Sequence, residues 1–168
     1  MLTETEIDLS AFDYENPLIG IDQIREVNPH RFEFEMLTGI VHIDRAKHQI
    51  VGFKDLSPSD FWVRGHMPGL PLFPGVLMCE AAAQLCGYYY IDHKLGAPGT
   101  LLVLAGLDET RFVRTVRPGE RLVLVGTGVK VHRRMTKFRA VGYVKNEKVF
   151  ETLVSGVPHG KTQELRGA

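Results

Sequence analysis

The residues of this chain best suited to chemistry gather in one stretch: Gly65-His66-Met-Pro-Gly-Leu-Pro-Leu-Phe-Pro-Gly75-Val-Leu-Met-Cys-Glu80-Ala-Ala-Ala-Gln84. Three prolines and two glycines between His66 and Gly75 make a stiff loop, and Pro74 suits entry into a helix starting at Gly75. Glu80 falls in the second turn of that helix, whose other residues are apolar apart from Gln84. An unpaired buried carboxylate is costly, so it either finds solvent or a partner or holds a proton. Two readings therefore stand for Glu80: a surface or arginine-paired side chain, or an acid kept protonated for proton donation. Gln84, one turn later on the same face, could orient that carboxyl or serve as a plain structural amide. A loop histidine alone is an ordinary surface residue. His66 gains interest because its loop feeds a helix N-terminus, where free N–H groups and partial positive charge suit an enolate-like oxygen. A base, an acid and an oxyanion site are the parts needed to remove a proton α to a carbonyl and expel a β-hydroxyl.

The elements around this stretch follow from pattern. Val76 to Ile91 is rich in good helix formers and apolar nearly all round, which predicts a helix from Gly75 to about Ile91 buried on nearly every side. Phe32–Ile43 and Gln49–Leu56 read as a pair of strands. Leu101–Leu107, Arg121–Val131, Thr136–Lys145 and Val149–Val157 read as four more, with turns at Arg117-Pro-Gly-Glu and Lys145-Asn-Glu-Lys. Short connections favour antiparallel neighbours. One buried helix among such strands predicts an α+β arrangement, a sheet curled around the helix. Residues 1–20 read as an arm or short helix, 21–158 as one domain, and 159–168 as a polar tail.

The 168 residues suit one domain with a real core, and no internal repeat is visible. Lys plus Arg equals Asp plus Glu at 20 each, so no global field points to nucleic acid or an anionic membrane. Cys79 and Cys86 would sit two helical turns apart, roughly 10 Å along the axis, too far for a disulfide. They read as buried small hydrophobes. The acidic start, without a basic region or long apolar run, does not read as a secretory signal, and a cytoplasmic location is expected. His30, His48, His93, His132 and His159 are scattered without metal-ligand spacing, and Tyr88 to Tyr90 suggest a boundary or an interface.

The motif His-x-Pro-Gly-x-Pro-x-x-Pro-Gly-Val-Leu, followed by Glu-Ala and a glutamine four after the glutamate, closely resembles the signature of bacterial 3-hydroxyacyl-[acyl-carrier-protein] dehydratases of the FabZ type. Pro29-His-Arg-Phe32 resembles the family's first-strand motif, Ala105-Gly-Leu-Asp-Glu-Thr-Arg-Phe112 its stretch after the helix, and Arg117-Pro-Gly119 a family turn. The resemblance runs from about Ile21 to Val157. It implies a hotdog fold, and dehydration of (3R)-3-hydroxyacyl-ACP to trans-2-enoyl-ACP in fatty-acid biosynthesis without metal or redox cofactor. By motif position it makes His66 the base and Glu80 the acid that protonates the departing hydroxyl. The N–H groups of Gly75 and Val76 would hold the thioester oxygen. It also implies a homodimer in which His66 faces Glu80 of the partner subunit, such dimers often assembling further into hexamers. Glutamate rather than aspartate at position 80 is similar to the general dehydratase and not to the dehydratase-isomerase branch. Glu33-Phe34 and Thr38-Gly39 depart from the family's usual Pro-Phe and Asp-Arg, which bears on acyl length and assembly rather than on the chemistry.

An acyl carrier protein is acidic and should dock on a basic patch. Arg111, Arg114, Arg117 and Arg121 form one candidate cluster, with Arg111 and Arg114 foremost; Arg133, Arg134, Lys137 and Arg139 form another. Two alternative functions remain at this point: a hotdog acyl thioesterase, and a non-catalytic acyl-carrier-binding subunit working with an active partner.

Overall fold

Turn chemistry organises most of the sheet. Lys145 and Asn146 both adopt left-handed backbone, φ 51° and 65°, making a two-residue turn that matches the twist of the strands it joins. It folds β6 (Met135–Val144) back on β7 (Glu147–Lys161). At Arg117-Pro-Gly-Glu the N–H of Glu120 donates to the Arg117 carbonyl at 3.2 Å, with Gly119 at φ 85°, as a type II turn requires. That turn launches β5 (Arg121–His132).

A computed structural model describes residues 7–96 and 99–161. The remaining elements are β1 (Ile19–Gly20), α1 (Ile21–Val27), β2 (Gly39–Asp44), β3 (Gln49–Asp55), α2 (Gly75–Asp92) and β4 (Thr100–Phe112). All pairings are antiparallel, in the order β1-β2-β3-β5-β6-β7-β4, which leaves β4 on an edge. The sheet curls round α2, whose Ala81, Ala82 and Leu85 have no exposed surface. Phe138, Leu122, Leu124 and Phe150 belong to the same buried cluster as the helix. This is the expected α+β arrangement, with the expected helix extended by one residue.

The N-terminal arm has a structural task. Leu9, with the partly buried Phe12 and Tyr14, packs on Val51, Phe53, Val123 and Val125, a second apolar cluster. The Arg121 guanidinium lies over the rings of Tyr14 and Phe53, at 5.1 and 4.8 Å, and bridges Asp55 and Glu15.

Several expectations need correction. Phe32–Ile43 is not one strand. Phe32–Phe34 is a 3-10 turn, Phe32 has φ 57°, and the strand begins only at Gly39. The Gln84 side chain binds the Phe34 carbonyl and the Met36 N–H, backbone groups a strand would have used in its ladder. Pro29-His-Arg-Phe32 therefore lies in an irregular connection rather than a first strand. The α1 helix was not anticipated. Finally, β4 continues past Leu107 to Phe112, pairing through to Phe150 of β7. Of the expected tail 159–168, residues 159–161 instead continue β7 and pair with β4, and residues 162–168 lie outside the described residues.

Tyr88, Tyr89 and Tyr90 are buried core residues rather than a boundary. The hydroxyl of Tyr90 donates to the Arg133 carbonyl at 2.7 Å, and that of Tyr89 meets His48 Nδ1 at 2.9 Å. Cys79 and Cys86 are free and buried, and burial pushes the Cys86 thiol up to about 12. Because α2 is the axis of the core, Leu85→Ala is expected to destabilise the fold by about 3 kcal/mol in denaturant titration. A loss within error of zero would mean that the helix is not the packing centre.

Candidate active site

Glu80 is held by its neighbours on one side only. Its Oε1 accepts from Gln84 Nε2 at 2.8 Å, the i,i+4 contact expected along a helix face. Gln84 is itself buried. Its Nε2 also donates to the Phe34 carbonyl at 2.7 Å, and its Oε1 accepts from the Met36 N–H at 3.1 Å. The Met36 N–H demands an acceptor, so the amide cannot be flipped, and its N–H must face Glu80. His30 Nε2 stands 3.5 Å from the same Glu80 oxygen. The Glu80 side chain keeps 26% of its surface. That exposure faces a groove of about 260 Å³ between α2, β4 and β7, lined by His30, Ala83, Gly87, Leu102 and Val154 among others.

His66 sits in the exposed loop before α2, braced by backbone. Its N–H donates to the Trp62 carbonyl at 2.8 Å, its carbonyl accepts from Leu72 N–H at 2.8 Å, and Nδ1 lies 2.7 Å from the Leu72 carbonyl. A carbonyl only accepts, so Nδ1 carries a proton in this contact. In the neutral ring, Nε2 is then the free lone pair, as a general base requires. Trp62 and Phe73 are buried beneath the loop with ring centroids 5.2 Å apart, and the Phe73 N–H is tied to the Val116 carbonyl at 2.7 Å.

The first turn of α2 lies between these two residues in sequence. The N–H groups of Leu77 and Met78 turn back to the Pro74 carbonyl. The N–H groups of Gly75 and Val76 precede any possible intrahelical acceptor and are the donors left at the helix start. A Cβ at position 75 would lie 2.9 Å from the Phe112 ring, so glycine is what lets this turn pack under the end of β4.

Glu80 and Gln84 are thus brought together as the spacing suggested. His66 and Glu80 are not: neither a hydrogen bond nor an ion pair joins them, and His66 does not line the groove. His30, read from the sequence as structural, faces Glu80 instead. Arg111 is exposed, whereas Arg114 is half-buried and paired with Glu120 at 2.6 Å. Lys137 and Arg139 are likewise paired, with Asp108 and Glu109, and Arg121 serves the arm.

A central helix wrapped by an antiparallel sheet, with a half-buried carboxylate on that helix facing a groove, places the chain in the hotdog class. Residues 28–153 match the FabA-like domain, and the chain belongs to that family. It is 36% identical over 139 residues to the 3-hydroxyacyl-[acyl-carrier-protein] dehydratase FabZ of Erwinia tasmaniensis, covering 82% of this chain and 91% of that protein. The corresponding Escherichia coli FabZ is 37% identical over 135 residues, covering 79% and 88%. Among solved structures, the dehydratase heterocomplex ApeI:P from Xenorhabdus doucetiae superimposes with TM-score 0.69 over 85% of this chain and 95% of that one, at 14% identity, a likeness of fold. Among the described residues, no helix is long and apolar enough to cross a membrane.

Replacing Gln84 with leucine strands the Phe34 carbonyl, the Met36 N–H and one Glu80 oxygen together. Gln84→Leu is expected to cost about 2–3 kcal/mol in denaturant unfolding. A neutral effect would show that this amide does not fix the connection beside Glu80.

Proposed function

We propose that this chain dehydrates (3R)-3-hydroxyacyl-[acyl-carrier-protein] to the trans-2-enoyl thioester in fatty-acid biosynthesis. The observation that carries the reading is Glu80, a carboxyl on an apolar helix with one oxygen bound by Gln84 and the other without a protein hydrogen bond, facing an apolar groove. Such a group can pass a proton from Oε2 to a substrate hydroxyl. His66 Nε2 takes the α-proton, the electron pair forms the α,β double bond, and the β-hydroxyl leaves as water with the proton from Glu80. The elimination is redox-neutral and needs no electron carrier. The N–H groups of Gly75 and Val76 stabilise the thioester oxygen as charge develops on it.

Because His66 lies outside the Glu80 groove of its own chain, the reading includes a homodimer in which His66 meets Glu80 of the partner subunit, with hexamers of three such dimers as a further step. The edge position of β4 supports a second copy there. Its 13 residues leave one ladder side unpaired, and Leu104 and Phe112 expose about half their surface. A long edge with exposed leucine and phenylalanine is ordinarily covered. For the acidic carrier protein, Arg111 is the free candidate of the pair named from sequence. Arg114 is committed to Glu120. We read the enzyme as cytoplasmic, as the processing of carrier-bound fatty-acid intermediates implies.

Enoyl formation from a short 3-hydroxyacyl-ACP by the wild type is expected to fall by roughly a thousandfold in Glu80→Gln and in His66→Ala, with melting temperatures retained. Absent wild-type turnover at every acyl length would remove the dehydratase reading. Release of free thiol from saturated acyl thioesters would replace it with a thioesterase. Arg111→Glu is expected to weaken turnover of the carrier-bound substrate several-fold more than that of a small thioester analogue, the difference shrinking as salt rises. Equal losses on both substrates would place the docking surface elsewhere.

A further inference from the structure

The Glu80 carboxyl has a second neighbour with no task in the mechanism above. His30 lines the same groove, contributed by the irregular connection between α1 and β2, and its Nε2 is 3.5 Å from Glu80 Oε1. Its other nitrogen, Nδ1, is buried with no hydrogen-bond partner. A buried N–H without an acceptor is more costly than a bare lone pair, so the neutral ring places its proton on Nε2, pointing at Glu80. Burial pushes the His30 ring toward the neutral form; the Glu80 charge opposes this and Arg31 reinforces it. The charged groups nearest His30 on the packed elements are Glu80 from α2, the adjacent Arg31, and the Arg25–Glu35 ion pair.

We propose that His30 is a positioning residue of the dehydration. Together with Gln84 it occupies the Oε1 edge of Glu80, so that the transferable proton resides on Oε2, the oxygen without a protein hydrogen bond. This rests on Glu80 being the acid. Without donors on Oε1 the carboxyl could carry its proton on either oxygen and rotate between them, and each turnover would wait for the productive arrangement. The 3.5 Å separation exceeds a full hydrogen bond, as is common before substrate tightens a site. Neither His30 nor Gln84 touches the reacting atoms in this scheme. A neutral imidazole also suits the position better than a lysine or arginine, because a permanent cation beside Glu80 would hold it as carboxylate and take away its proton. The same isolation of Nδ1 leaves His30 no route to relay a proton onward, so it steers the acid and does not replace it.

The test compares His30→Ala with His30→Gln, whose amide can restore an N–H near Nε2. For 3-hydroxyacyl-ACP, His30→Ala is expected to lower kcat about tenfold with KM changed less than about twofold, and His30→Gln to recover most of that loss. Wild-type kcat in His30→Ala, or equal damage in both variants, would overturn the proposal. A measurement without turnover separates this from failure of the dehydratase reading itself. In NMR of nitrogen-labelled histidine, Glu80→Ala is expected to shift the His30 Nε2 signal, because the oxygen facing that nitrogen is removed. An unchanged signal would show that the two groups do not interact.

Discussion

The site depends on one buried amide. Gln84 is a polar side chain in a helix otherwise sealed in apolar surroundings, and such a group is tolerable only when its donors and acceptor are matched. The match is found in two places at once: the Phe34 carbonyl and Met36 N–H on one side, the Glu80 carboxylate on the other. The amide therefore couples the conformation of a connection about 50 residues away in sequence to the aim of the Glu80 carboxyl. It stops β2 from starting early, keeps residues 28–36 against α2, and through them brings His30 to the groove. Asn28 adds a second tie from that segment, donating to the Gln84 carbonyl at 3.2 Å. Loss of either tie would be felt at Glu80 before it was felt in the core.

The other half of the chemistry is organised by backbone rather than side chains. The proline-rich loop fixes His66 by reciprocal bonds with Leu72, and packing of Phe73 beside Trp62 ties that loop to the core. The ring is exposed, with Nδ1 committed to the Leu72 carbonyl. On the proposed mechanism, a base on an exposed loop, an acid in a groove and an exposed strand edge are consistent requirements of a site completed by a second copy. In such a dimer, groups already fixed within each chain would come together without reordering, which lowers the entropy lost on forming the site.

Much of this was legible in the sequence, for physical reasons that differ from part to part. The helix over residues 75–91 was clear because its composition and its apolar surface agree, and Glu80 stood out against that background. Turns at Arg117-Pro-Gly-Glu and Lys145-Asn were legible from their own backbone requirements. The strand misassigned to Phe32–Ile43 has strand-like residues, aromatic and β-branched, but a tertiary partner takes its backbone groups, and propensity carries no information about that. The far half of β4 was missed because an edge strand exposes side chains on both faces, so Asp108-Glu-Thr-Arg breaks the alternation that marks a half-buried strand. The meeting of His30 with Glu80 was invisible for a simpler reason: it bridges 50 positions and exists only once Gln84 has folded the connection back.

The measurement that tests the shared site most directly mixes two inactive variants, His66→Ala and Glu80→Gln, under conditions that allow subunit exchange. If each site takes His66 from one chain and Glu80 from the other, every hybrid dimer contains one intact site and one doubly altered site. With random exchange of equal amounts, about a quarter of wild-type dehydration should return, since half the dimers are hybrids. No recovery, with hybrids demonstrated by mass spectrometry, would contradict a site divided between two copies and would place both residues in the service of a single chain.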